Sequence, residues 1–223
     1  MNHPLMLILM TGAGIYCAGL WLADLRARAL QIGMPLNREN QNYAGAGDGK
    51  TTEKALPLPG AEPASLRAVV VAVAGALLIL AVETWGEFAL GLSAQQSRMT
   101  ALFAVYSVVA APVIEEIIFR GFLVVGSRRR AVVWAGALAA SVVFAGLHPF
   151  LWRWDEAGLG WTLAAKGWFS TAAVLATSLW LYAARLGPWN RTASLLPCLA
   201  AHAAKNLGVV AIKGALGFLG GWW

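Results

Sequence analysis

Apolar runs of about twenty residues, the length an α-helix needs to cross a bilayer, recur along the chain at 5–23, 68–91, 101–125, 132–151, 167–186 and 193–212. Backbone groups in hydrocarbon must find their hydrogen bonds within their own segment or within a closed barrel. Six runs of this length predict an all-α, polytopic transmembrane bundle. Composition agrees: 59% of residues are hydrophobic and 13% charged, where soluble domains average about 25% charged. With 223 residues in all, the chain has no room for a sizeable soluble domain, so one membrane domain is expected.

The net charge of +6 and pI near 9.7 do not indicate nucleic acid, because the basic residues fall between apolar runs and form no patch interleaved with aromatics. In a membrane chain they set orientation. Arg26, Arg28, Arg38, Lys50, Lys54 and Arg67 lie in the first loop, Arg128, Arg129 and Arg130 in the third, and Arg185 and Arg191 in the fifth. The opposite loops hold only Arg98, Arg153 and Lys166. The first, third and fifth loops are therefore expected in the cytoplasm and both termini outside. No Lys or Arg precedes the first run, so it is read as a retained span rather than a cleaved signal. The bacterial cytoplasmic membrane is the expected location. Cys17 and Cys198 both sit in apolar runs and read as small buried hydrophobes.

Between the first two spans lies a polar segment, 24–66, which opens with a possible interfacial helix at Asp24 and continues as a Gly-, Asn- and Pro-rich loop. A substrate-gating flap is the functional alternative for it. Trp152, Trp154, Trp161, Trp168, Trp222 and Trp223 read as markers of the membrane–water interface.

Ionisable groups in hydrocarbon are costly and mark function by default. Glu115, Glu116 and Arg120 lie near the middle of the third run. Glu116 and Arg120, four apart, share a helical face and are expected to pair. Glu115 is rotated about 100° away, has Ile118 and Phe119 at its i+3 and i+4 places, and is the expected free carboxylate. Taken alone, the three also fit a helix-packing network. His148 in the fourth run, and His202 with Asn206 in the sixth, complete an inventory for hydrolysis: a base for water, an acid for the leaving amine and donors for an oxyanion. No serine or cysteine is placed as an obvious nucleophile; Ser141 lacks supporting context. Glu83 and Glu87 either line the same cavity or lie at the outward interface, the second being the expectation.

E-E-I-I-F-R-G-F-L (115–123), F-A-G-L-H (144–148) and H-A-A-K-N (202–206) resemble, in order, the E-E-x-x-x-R, F-x-x-x-H and H-x-x-x-N/D motifs of the CAAX protease and bacteriocin-processing family, which includes the type II CAAX prenyl endopeptidases. The resemblance covers about residues 100–212. It implies an intramembrane endopeptidase whose core is 100–223, preceded by an N-terminal part, 1–99, without family signature. It implies that Glu115 and His148 activate water and that His202 and Asn206 bind the oxyanion, with Glu116, Arg120 and Phe144 in support. The implied mechanism uses no metal or other cofactor. The alternative is zinc at Glu115, His148 and His202, although no H-E-x-x-H helix is present.

The expected partner is a peptide or protein with a membrane-proximal cleavage site: a prenylated tail, a sorting tail or a leader. His148 falls near the outward end of its span, so the cavity is expected to open outward. Two other classes fit the same inventory. One is an idle peptide-binding immunity protein, which the complete motif set argues against. The other is a proton-coupled transporter, which lacks the expected repeat of broken helices.

Overall fold

The structure, a computed structural model, describes residues 4–33, 58–156 and 158–222. Most of the polar loop, with Arg38, Lys50 and Lys54, lies outside the described residues, as does Trp223; so does the expected gating flap.

The main elements are helices α1 (Pro4–Gly33), α2 (Leu66–Ala89), α3 (Ala101–Val109), α4 (Ala111–Glu116), α5 (Arg130–Leu147), α6 (Ala165–Leu186) and α7 (Leu196–Ala215), with one small hairpin of β1 (Trp152–Asp155) and β2 (Gly158–Trp161). The fold is all-α. Among the described residues, four segments are long and apolar enough to cross a membrane: Pro4–Leu30, Leu66–Ala89, Ala101–Phe122 and Arg130–Leu147. The expected fifth and sixth spans coincide with α6 and α7, of 22 and 20 residues. These are long enough at about 1.5 Å per residue, but they are not among the four apolar segments.

Much of the helix surface is apolar and faces outward, as at Leu78, Val82 and Val142, the arrangement a lipid solvent selects. Inside, small residues let the backbones approach. Ala72 and Ala76, four apart on α2, are fully buried against Leu181 and Ala184 of α6 and Cys198 and Ala201 of α7. A Cβ on Gly14 of α1 would stand 2.5 Å from the Cβ of Ala110, and one on Gly75 would strike the Trp180 ring.

The expected third span is one traverse with two irregularities. Pro112 cannot donate to the carbonyl one turn back, and the chain breaks between α3 and α4 at Ala110. After Glu116, residues Ile117–Phe122 widen into a π-helical turn, a feature common at functional sites.

The first span runs on without interruption through Asp24 to Gly33, so the separate interfacial helix expected there is part of α1. Its last turns anchor the chain that returns to α2: Asp24 Oδ2 accepts from Leu58 N at 2.7 Å, and Arg28 pairs with Glu62. At the other end of the bundle, the amide of Met99 donates to Phe218 O and that of Ala101 to Gly221 O. The start of α3 and the end of α7 therefore share one end. The region expected as an outer loop contains the hairpin, with Trp152 opposite Trp161 and Trp154 opposite Leu159. Trp154 and Trp161 are exposed, as interfacial tryptophans would be.

Candidate active site

The three polar runs of the sequence meet inside the bundle. Glu116 and Arg120, both fully buried, form the expected i,i+4 ion pair at 3.1 Å. The guanidinium continues to Ser178 of α6, reaching its hydroxyl at 2.6 Å and its carbonyl at 3.2 Å. Ser178 in turn donates to Ser141 of α5 at 2.9 Å. Arg120 also lies over the rings of Phe144 (4.6 Å) and Tyr182 (5.1 Å), where the ring faces attract a cation.

The π-turn explains part of this placement. Leu123 N bonds to Ile118 O rather than to Phe119 O, as an α-helical turn would require. The released Phe119 carbonyl accepts from the Tyr182 hydroxyl at 2.6 Å.

From α7, His202 places Nδ1 2.8 Å from Glu116 Oε1, and its Nε2 faces Glu115 Oε2 at 3.8 Å. A ring held at Nδ1 by a carboxylate has its orientation fixed and Nε2 left for other work. Glu115 Oε2 is buried and has no hydrogen-bond partner. Glu115 is also near enough to His148 to interact electrostatically. The two adjacent glutamates thus differ as helical geometry predicts: one is bound into an ion pair, and the other is left without a hydrogen bond.

His148 is placed differently from its expected position within a span. The helix ends at Leu147, and His148 is its C-cap in extended conformation (φ −76°, ψ 128°). Its Nδ1 lies 2.8 Å from Phe144 O, and its ring packs between Phe144 and Phe150. Phe144 itself is buried and touches Phe119, His148 and His202 edge-on or tilted, so it sets the spacing of the two imidazoles.

Asn206 donates through Nδ2 to Ser107 O at 2.7 Å, one turn before the Pro112 break. His148, His202, Asn206, Lys205 and Thr177 border a cavity of about 60 Å³, more than the 10–15 Å³ one water requires. Lys205 is held by Glu83 at 2.7 Å. Glu87 instead pairs with Lys166 and accepts from Gln96 at 2.5 Å. Glu83 thus lies behind a cavity-lining lysine, while Glu87 ties the end of α2 to the start of α6.

Sequence reasoning missed Lys205, Thr177, Tyr182 and the Ser178–Ser141 pair. Only Lys205 carried a visible signal, a charge inside an apolar helix. Among the described residues, no three His, Cys, Asp or Glu side chains are grouped as a metal ion would need.

The family model of the type II CAAX prenyl endopeptidase Rce1-like proteins matches residues 97–208, just over half of the chain. The chain belongs to that family. Membership makes it an integral membrane protein of the CAAX-type intramembrane endopeptidases, whose substrates are peptides. The match takes in all three polar motifs, from Glu115 to Asn206, and leaves the whole of α1 and α2 outside it. No curated protein and no solved structure matches the chain.

Proposed function

We propose that the protein hydrolyses a peptide bond near the terminus of a membrane-associated or exported substrate in the bacterial cytoplasmic membrane, without a metal or other cofactor. Glu115 and His148 hold the attacking water. Glu115 takes its proton, the hydroxide adds to the scissile carbonyl, and His202 Nε2 and Asn206 Nδ2 donate to the oxyanion. When the tetrahedral intermediate collapses, the carbon–nitrogen bond breaks and Glu115 returns the proton to the departing amine. For Nε2 to donate while Nδ1 donates to Glu116, the His202 ring carries both protons in that step. Glu116 and Arg120 act as positioning residues.

The observation that supports this reading best is the unpartnered Glu115 Oε2 3.8 Å from Nε2 of His202; that imidazole, with His148 and Asn206, borders a water-sized cavity that Glu115 itself does not line. The site is taken to open outward, since His148 caps the end of α5 opposite Arg128–Arg130. An outward opening suits trimming of exported segments.

The test is a comparison of protein termini in cells carrying the wild-type protein and cells carrying Glu115→Ala. The proposal expects a discrete set of new N- or C-termini that depends on Glu115. Identical termini in both strains would sink it and favour the idle, peptide-binding alternative.

A further inference from the structure

The chain between α6 and α7, at the end of α6 away from the hairpin, is held in a single shape by one buried side chain. Asn190 donates through Nδ2 to the carbonyls of Ala184 (2.9 Å), Arg185 (3.3 Å) and Ser194 (2.8 Å), and its Oδ1 accepts from Ser194 N at 3.0 Å. Ala193 is held at φ 48°, a left-handed conformation that a residue with a Cβ adopts only when its surroundings enforce it. Thr192 donates to Pro63 O at 2.7 Å, and Leu195 N donates to Gly60 O at 2.9 Å. These bonds tie the loop to the segment that enters α2. Trp189 stacks on Trp180 with ring centroids 6.1 Å apart.

Between this loop and the start of α2 lies a cavity of about 460 Å³, bordered by Ser65, Arg67, Trp189, Asn190, Arg191 and Thr192. Among the described residues, no acidic side chain lines it. Arg67 and Arg191 are exposed, and among the described residues neither has an ion pair or a side-chain hydrogen bond. Arg185, only 9% exposed, leaves Nε and Nη1 without partners, which adds a buried positive charge at the foot of the loop. A rigid concave wall with several unspent guanidinium donors and no carboxylate fits a tetrahedral oxyanion.

We propose that this cavity binds a phosphate-bearing anion, the chemistry shared by an anionic glycerophospholipid headgroup and free phosphate. The loops that form it carry the positive charge expected on the cytoplasmic side, where the leaflet is anionic. Leu66 and Val70, beside it on α2, are 78% and 55% exposed and offer an apolar track on which an acyl chain can lie. Lipid is therefore the favoured source. The site lies apart from the His148–His202 cavity, and its occupancy is measured without reference to peptidase activity.

The experiment is native mass spectrometry of the full-length protein released from mixed micelles of phosphatidylglycerol and phosphatidylcholine. A parallel thermal-shift series uses inorganic phosphate in phosphatidylcholine micelles. Wild-type protein is expected to retain phosphatidylglycerol over phosphatidylcholine by about tenfold or more, and R67Q/R191Q to lose that preference. R128Q/R129Q removes the same charge elsewhere on the same side and is expected to keep it. R67K/R191K keeps the charge and is expected to keep most of the preference, which separates loss of the anion from misfolding. Stabilisation by inorganic phosphate in the wild type but not in R67Q/R191Q would assign the site to free phosphate. Retention of phosphatidylglycerol by R67Q/R191Q at the wild-type level, an equal loss in R128Q/R129Q, or no response of the wild type to either probe overturns the proposal.

Discussion

Glu116, Arg120, Ser178 and Ser141 form a continuous hydrogen-bonded chain closed to solvent. By contrast, Glu115, His148 and Asn206 are only partly buried, and Glu115 Oε2 has no hydrogen-bond partner. His202 joins the two regions, with one ring nitrogen facing each. Charges buried in the first region tolerate hydrocarbon because they are paired. Among the described residues, Glu115 has no hydrogen bond, only the His202 Nε2 contact at 3.8 Å, a cost that folding alone does not require. The difference separates residues that hold the site from residues available to react.

Substitutions that remove one member of the closed region should cost stability first. Arg120→Met strands the Glu116 carboxylate and is expected to destabilise the protein by about 3–5 kcal/mol, seen as a fall in melting temperature in micelles together with loss of cleavage. If Arg120→Met melted like the wild type, the closed region would not be the framework described here.

Glu115→Gln should do the reverse. It removes the proposed base but keeps the shape, so cleavage is expected to fall by about 10³-fold with the melting temperature little changed. Asn206→Ala is expected to lower kcat by about 10²-fold while leaving KM nearly constant; a pure KM effect would make Asn206 a substrate-binding residue instead. The smallest effect is expected for Ser178→Ala, about 1–2 kcal/mol of stability, because Arg120 retains the Ser178 carbonyl and the Glu116 carboxylate. A larger activity loss from Ser178→Ala than from Asn206→Ala would invert the two regions.

Much of the helical architecture was legible because apolar run length is set by bilayer thickness, and the i,i+4 geometry of Glu116 and Arg120 is set by the helix itself. The π-turn was not legible: Ile-Ile-Phe-Arg-Gly-Phe carries no local signal that would distinguish a π-turn from an α-turn. Its consequence, the Phe119 carbonyl bonded to Tyr182, depends on a residue 63 positions away. Ser141 and Ser178 were likewise opaque, since a serine in an apolar helix often bonds to its own backbone and only the packing of α5 on α6 brings the two together. The end of α5 at Leu147 was hidden because the run stays apolar past His148, through Phe150 and Leu151. The ionisable side chains of the candidate site were visible through their charge, whereas Ser141, Ser178 and Tyr182, which hold Arg120 and the π-turn, were not.

The most direct test compares wild-type and Glu115→Gln protein in the same liposomes, on the membrane-anchored peptide identified from the termini comparison. Cleavage rate and melting temperature are measured on each preparation. The account predicts a rate lower by about 10³-fold at an unchanged melting temperature. Equal cleavage rates by two equally folded proteins would contradict it.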